Sequence, residues 1–104
     1  MNQSEDAGSS AAILDALYAV IEDRKTADPG ESYTARLLAE GLPKVAQKVG
    51  EEATETVVAA LSQSREALIA ESGDLLYHLL TLWAARGVRP EEVYAELARR
   101  RRGG

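Results

Sequence analysis

Apolar residues recur three and four positions apart along most of this chain, and nowhere do they alternate with the period of two that strands require. Ile13, Leu14, Leu17, Val20 and Ile21 mark a first amphipathic helix, which Ser9 or Ser10 can cap and which runs to about Lys25. Residues 26–33, containing Asp28-Pro29-Gly30, read as a turn or loop, and Ser32 or Thr34 caps a short helix ending at Gly41. Pro43 suits the first turn of a long third helix, in which Ala46, Val49, Ala53, Val57, Ala60 and Leu61 form an apolar stripe. Residues 62–65 make a bend, with Ser64 as the cap of a fourth helix that Gly87 closes. Pro90, Glu91 and Glu92 open a last helix, whose Val93 and Leu97 are expected to face inward. The predicted fold class is all-α, with four main helices plus one short helix.

The fourth helix departs from the usual two-sided pattern. Residues 67–85 read ALIAESGDLLYHLLTLWAA, and Glu71 and Asp74 are their only formal charges. A helix so apolar around its circumference is buried on most sides. Three small partner helices cannot cover it, so the helical bundle is expected to be completed by dimerisation. At roughly 100° per residue, Glu71, Asp74 and His78 fall on one edge, while Ala70, Tyr77, Thr81 and Ala84 occupy the side where surface charge would be expected. A carboxylate taken out of water without a partner is costly, so this pair needs compensation.

On the third helix, Glu51, Glu52 and Glu55 lie beside the apolar stripe together with Lys44 and Lys48. If the two helices pack antiparallel, five carboxylates face one another, and one lysine cannot neutralise them. Acids on helices are ordinarily solvated faces, but a box of oxygen donors in apolar surroundings suits a hard divalent cation. Mg²⁺ is such a cation, and it usually accompanies a phosphate-bearing substrate. Lys44 and Lys48 stand at the rim, where they can meet phosphates. Lys48 can equally pair with Glu51 and Glu52 across one turn, an interaction worth about 0.3 kcal/mol.

Composition narrows the reading. The chain has 104 residues and no internal repeat, and is read as a flexible segment over 1–10 followed by a single domain over 11–102. The absence of cysteine excludes a disulfide framework, thiolate chemistry and a cysteine-ligated zinc. No run of eighteen apolar residues occurs, and the start MNQSEDAGSS lacks the basic flank and apolar stretch of a signal peptide. A cytoplasmic protein without a membrane partner is expected. The net charge of −5 hides an arginine run at 99–102; before it, seventeen acids stand against eight bases. So acidic a body argues against a nucleic-acid partner, and the run itself suits the C-terminal end of a helix dipole. His78, with Tyr77 before it, reads as a hydrogen-bonded residue behind the acids, and Trp83 as packing in the core or at the dimer contact. Gly50 and Gly73 sit inside helices beside the acids, where glycine costs about 1 kcal/mol relative to alanine and would let a neighbouring helix or ligand come close.

The order Glu51-Glu52-x-x-Glu55, fifteen intervening residues, then Glu71-x-x-Asp74 resembles the signature of the all-α, MazG-like nucleoside triphosphate pyrophosphohydrolases. Four stretches make the resemblance closer. They are Asp23-Arg24-Lys25; Ser32-Tyr33-Thr34-Ala35-Arg36-Leu37-Leu38 with Gly41; Lys48-Val49-Gly50-Glu51-Glu52-Ala53-Thr54-Glu55; and Asp74-Leu75-Leu76-Tyr77-His78. Together they are most similar to the phosphoribosyl-ATP pyrophosphohydrolase family, which serves the second step of histidine biosynthesis. One departure is Ser72-Gly73, where the family pattern has small alanine-like residues; every carboxylate stays in place.

The resemblance implies Mg²⁺-dependent hydrolysis of the α–β phosphoanhydride of phosphoribosyl-ATP, giving phosphoribosyl-AMP and pyrophosphate, usually by a homodimer. It implies Glu52, Glu55, Glu71 and Asp74 as metal ligands. Glu51 and Glu52 become the catalytic pair, Glu51 orienting the water or completing a second metal site. Arg24, Lys25, Lys44 and Lys48 become phosphate contacts, and Tyr77 and His78 stand behind the acids. The chemistry agrees, since anhydride cleavage needs neutralised phosphate charge and a positioned water. Two alternatives stay open at this point: a house-cleaning pyrophosphohydrolase for non-standard nucleoside triphosphates, and a non-enzymatic helical dimerisation module. A di-iron bundle does not fit, because Leu75 occupies the position three before His78. In many organisms this activity is fused to a cyclohydrolase with zinc-binding cysteines, of which this chain has none.

Overall fold

Periodicity of 3.6 becomes helix throughout. The structure, a computed structural model, describes residue 8 and residues 10–103. Among these are five α-helices and no strand: α1 (Ala12–Asp23), prolonged by a 3-10 turn (Arg24–Thr26), α2 (Tyr33–Glu40), α3 (Leu42–Ser62), α4 (Arg65–Arg86) and α5 (Pro90–Gly103). The segment expected over 1–10, including the candidate cap Ser9, lies outside the described residues apart from Gly8 and Ser10.

The predicted punctuation is in place because each signal acts within one turn of its own position. The hydroxyls of Ser10, Ser32 and Ser64 accept hydrogen bonds from the backbone N–H groups of Ala12, Ala35 and Ala67 at 3.2, 3.1 and 3.1 Å, each satisfying a donor that the helix start leaves orphaned. Glu92 does the same from inside α5, accepting from Arg89 N–H at 2.8 Å. Gly41 and Gly87 take φ of 99° and 72°, left-handed values that a side chain would strain, and these stop α2 and α4.

Two residues, Gln63 and Ser64, join α3 to α4, and so short a link folds the helices back on each other. Glu55 meets Glu71, and Glu52, one turn earlier on α3, comes within electrostatic reach of Asp74, one turn later on α4; the pair is therefore antiparallel. Ile21 of α1 packs against Leu80 and Ala84 of α4 as the buried core, with Leu14, Leu17, Tyr18, Leu38, Tyr77 and Trp83 around it. Tyr18 donates to the carbonyl of Val88 at 2.8 Å, and Tyr94 donates to Asp15 at 3.0 Å, fastening the start of α5 to α1.

Three expectations about faces need correction. The residues of α3 that are buried are Val45, Glu52 and Ala59, spaced seven apart, and not the predicted stripe; Val57 is exposed and Leu61 is 82% exposed. On α4 the side carrying Tyr77, Thr81 and Ala84, where surface charge was expected, faces the core because α1 packs there. The Thr81 hydroxyl is satisfied at 2.9 Å by the Tyr77 carbonyl of its own helix, so it can be buried without cost from a lost partner. Leu97 is 58% exposed instead of inward-facing, since α5 has its main contact with α1 alone. Among the described residues no helix is long and apolar enough to cross a membrane.

Candidate metal centre and active site

The antiparallel α3–α4 pair brings three carboxylates to one point. One oxygen each from Glu52, Glu55 and Glu71 lies within 4.8 Å of the others. Glu52 and Glu55 share a face of α3 because they are three residues apart, and Glu71 reaches them from the turn of α4 that lies opposite. Thr56 fixes that level: its hydroxyl lies 2.8 Å from the Glu52 carbonyl and 3.3 Å from the Glu71 carbonyl, so one proton is shared between the backbones of two box residues on different helices. A cleft of about 200 Å³ opens beside them, lined by Thr54, Glu55, Val58, Gln63 and Glu71.

Of the three, Glu52 is buried, Glu71 half-buried and Glu55 exposed, and it is Glu52 that the surroundings penalise. Glu52 is only 8% exposed, and its carboxyl is pushed up to about 7, first by burial, then by the hydrogen bond with Glu55 and the charges of Glu55 and Asp74. Lys48 pulls the other way from 3.9 Å, but it is too far and too shared to offset them. A carboxyl that keeps its proton near neutrality is one for which the site supplies too little positive charge. Hard oxygen donors gathered within 4.8 Å fit a divalent cation of the Mg²⁺ type.

The remaining sequence candidates divide. Asp74 is exposed, close enough to Glu52 to act on its charge but outside the three-oxygen set. Glu51 stands exposed on the rim. It accepts from Gln47 Nε2 at 2.6 Å and Lys48 Nζ at 3.2 Å, and these two bonds hold its carboxyl below the usual range. The same contact raises the Lys48 ammonium, and Lys44 adds a weaker pull on Glu51. Arg24 and Lys25 are paired instead with neighbours on α1, Asp23 at 2.9 Å and Glu22 at 2.6 Å. Lys25 borders a second cleft, of about 310 Å³, with Leu38, Leu42 and Ala84.

Behind the acids an aromatic cluster ties α2 to α4. His78 is buried, with Nδ1 2.8 Å from the carbonyl of Asp74 and Nε2 3.3 Å from the hydroxyl of Tyr33. Tyr77 shares a short hydrogen bond with Thr34 and sets its ring edge-on to His78, centroids 4.8 Å apart.

The profile of a known family, described as phosphoribosyl-ATP pyrophosphohydrolase, matches residues 14–101, which run from the first turn of α1 into the last turn of α5 and include every carboxylate of the box. The chain belongs to the phosphoribosyl-ATP pyrophosphohydrolase family. Similar proteins named phosphoribosyl-ATP pyrophosphatase occur in several organisms. That of Paramagnetospirillum magneticum is 62% identical over 88 residues, covering 85% of this chain and 81% of the relative. That of Rhodospirillum rubrum is 59% identical over 88 residues (85% and 75%), and that of Sulfurisphaera tokodaii 54% over 91 residues (88% and 97%).

Two neighbours of the site have no role legible in the sequence: Thr56, and Tyr33, which figures there only as part of a stretch that matches the family. Thr56 was detectable in principle, as a hydroxyl one turn after Glu52 with Val57 and Val58 following. Tyr33 carries no periodic signal, since it opens a short helix and meets His78 only in three dimensions. Beside Gly50 and Gly73, apart from their chain neighbours and the backbone of their own helix, no atom of the described residues lies within 4 Å of where a side chain would begin, so no other described helix uses the room they leave.

Proposed function

We propose that this chain hydrolyses the α–β phosphoanhydride of phosphoribosyl-ATP to phosphoribosyl-AMP and pyrophosphate, the second step of histidine biosynthesis, in the cytoplasm and with Mg²⁺. The observation that carries this reading is the convergence of Glu52, Glu55 and Glu71 with too little positive charge around them. The family membership names the substrate.

In this reading Glu52, Glu55, Glu71 and Asp74 hold the metal. When bound, Mg²⁺ supplies neutralising charge for the phosphates. Glu51, kept ionised by Gln47 and Lys48, accepts a hydrogen bond from the attacking water and orients it; the water adds across the anhydride as pyrophosphate leaves. Glu52, whose carboxyl is raised to about 7 in the metal-free protein, gives up that proton on holding the metal and stands beside Glu51 at the catalytic point. Lys48 and Lys44 offer charge to phosphates at the rim, and Arg24 and Lys25 do so after giving up their partners on α1. Tyr77 and His78 brace α4 from behind.

The catalytic domain spans 11–102 and acts as a homodimer. Val57, Leu61, Ile69 and Leu76 support that assembly, because these large apolar side chains of α3 and α4 stay exposed among the described residues. Pyrophosphate release from phosphoribosyl-ATP by the purified chain, with and without Mg²⁺, tests the reaction. A preference for dCTP or dUTP would replace it with the house-cleaning reading, and no turnover of any nucleotide would leave a dimerisation module. Sedimentation at micromolar concentration should give twice the chain mass.

A further inference from the structure

The second cleft, of about 310 Å³, lies toward the opposite end of the α3–α4 pair from the carboxylates. Leu38 and Ala39 of α2, Leu42 at the start of α3, and Ala84 and Ala85 near the end of α4 wall it, and Lys25 brings the one charge among the described residues that line it. Its size is at the low end of the ~300–1,000 Å³ of small-molecule sites. Apolar walls with a single ammonium offer nothing to a cation and suit a small group that carries negative charge. Lys25 is loosely committed where it stands: its ion pair with Glu22, at 2.6 Å, leaves both side chains 40% exposed. Exchanging one exposed anion for a doubly charged phosphate costs that lysine little.

The cleft is in line with the carboxylate box. Eleven residues of α4 separate Asp74 from Ala85, which at roughly 100° per residue come round to the same edge of the helix, and ten residues of α3 separate Glu52 from Leu42. At about 1.5 Å per residue, roughly 15 Å of helix lies between box and cleft. Between Asp74 and Arg86, α4 carries no Asp, Glu, Lys or Arg. Phosphoribosyl-ATP has the matching order of charge. Its triphosphate stands at one end and a lone phosphate at the other, on a second ribose, with sugar and purine rings between that carry no anion.

We propose that the cleft beside Lys25 is a substrate subsite that takes the 5′-phosphate of the phosphoribosyl arm, and that Lys25 sets the preference for that arm over a plain nucleoside triphosphate. The assignment rests on the reaction proposed above and divides the cations of the site, Lys44 and Lys48 serving the triphosphate and Lys25 the far phosphate.

The test compares kcat/KM for phosphoribosyl-ATP with that for ribosyl-ATP, the same molecule without the second phosphate, in wild type, Lys25→Gln and Ala85→Glu, each with Mg²⁺. Wild type should prefer the phosphorylated substrate. Lys25→Gln should cut that preference about tenfold, through KM and not kcat. Ala85→Glu, which sets a negative charge on an exposed part of the wall, should cut it in the same way. A preference left unchanged by either substitution, or equal losses on the two substrates, would overturn the assignment. A wild type inert toward phosphoribosyl-ATP would overturn the proposed reaction instead, and amide NMR of the metal-free protein, titrated with ribose 5-phosphate and with ribose, would then decide the subsite. Shifts at Ala39, Leu42 and Ala85 that need the phosphate and vanish in Lys25→Gln would uphold it, whereas no shift, or the same shift with ribose, would sink it.

Discussion

Glu52 on α3 and Glu96 on α5 are both glutamates set among other charges, and their surroundings drive them in opposite directions. Glu96 finds Arg99 three residues on and Arg100 four residues on, the latter at 2.7 Å, and these bonds hold its carboxyl below the ordinary range. Glu52 finds Glu55 three residues on, while Lys48, four residues back, is 3.9 Å away and donates to Glu51; burial and the nearby acids raise it to about 7. Charge density is similar in the two places. What separates them is compensation on the same helix, which Glu96 has from two close arginines and Glu52 only from Lys48 at 3.9 Å, together with burial, which makes the shortfall costly. A candidate site is therefore recognised by the charge its neighbours fail to supply.

The largest test of this contrast is to remove box charges one at a time. Glu52→Gln and Glu71→Gln should cut pyrophosphate release by about two to three orders of magnitude while leaving the protein helical. Asp74→Asn, at the edge of the box, should cost about two orders, whereas Glu66→Gln, on the first turn of α4 and outside the box, should cost nothing measurable in the same steady-state assay. Equal, small effects at Asp74 and Glu66 would make the box as inert as the Glu96 cluster.

Metal should relieve the box and leave α5 indifferent. Mg²⁺ at about a hundred times its dissociation constant should stabilise the fold by about 2.7 kcal/mol, read as a rise in melting temperature by calorimetry. Glu71→Gln should weaken the rise, and Glu96→Gln should not. An unchanged melting temperature at Mg²⁺ concentrations that support turnover would mean that the carboxylates do not need the ion.

The pH dependence of stability carries opposite signs in the two regions. The folded state keeps the proton of Glu52 up to about pH 7 and the unfolded chain loses it near the ordinary value of 4.5, so the folded protein binds more protons across that window. The contribution of this group is complete below about 4.5 and is lost as pH rises through 7, by on the order of 1 kcal/mol. For Glu96 the folded value is lowered, so its contribution is present above 4.5 and is lost as pH falls. Metal-free melting curves from pH 5 to 8 should decline for wild type and flatten for Glu52→Gln. Smallest of all is Arg99→Ala, which removes an exposed ion pair and should change neither turnover nor melting temperature measurably.

Sequence alone determined what is settled within a turn or two of backbone. The helices follow from the 3.6 period, Ser32 and Ser64 cap because a side-chain oxygen reaches its own helix start, and Gly41 and Gly87 stop helices because only they tolerate the backbone angle. The acid spacing likewise foretold that α3 and α4 would bring carboxylates together. Tertiary structure decided everything that depends on a neighbour's arrival. Glu51 and Glu52 are adjacent in sequence, yet one is exposed and held ionised while the other is buried and raised, because α4 closes over a single face of α3. The line Val45–Glu52–Ala59 is inside and Leu61 outside for the same reason, and Tyr33 meets His78 across 45 residues of chain. Helix formation is local, whereas burial, and with it the raised carboxyl of Glu52, belongs to the packed pair of helices.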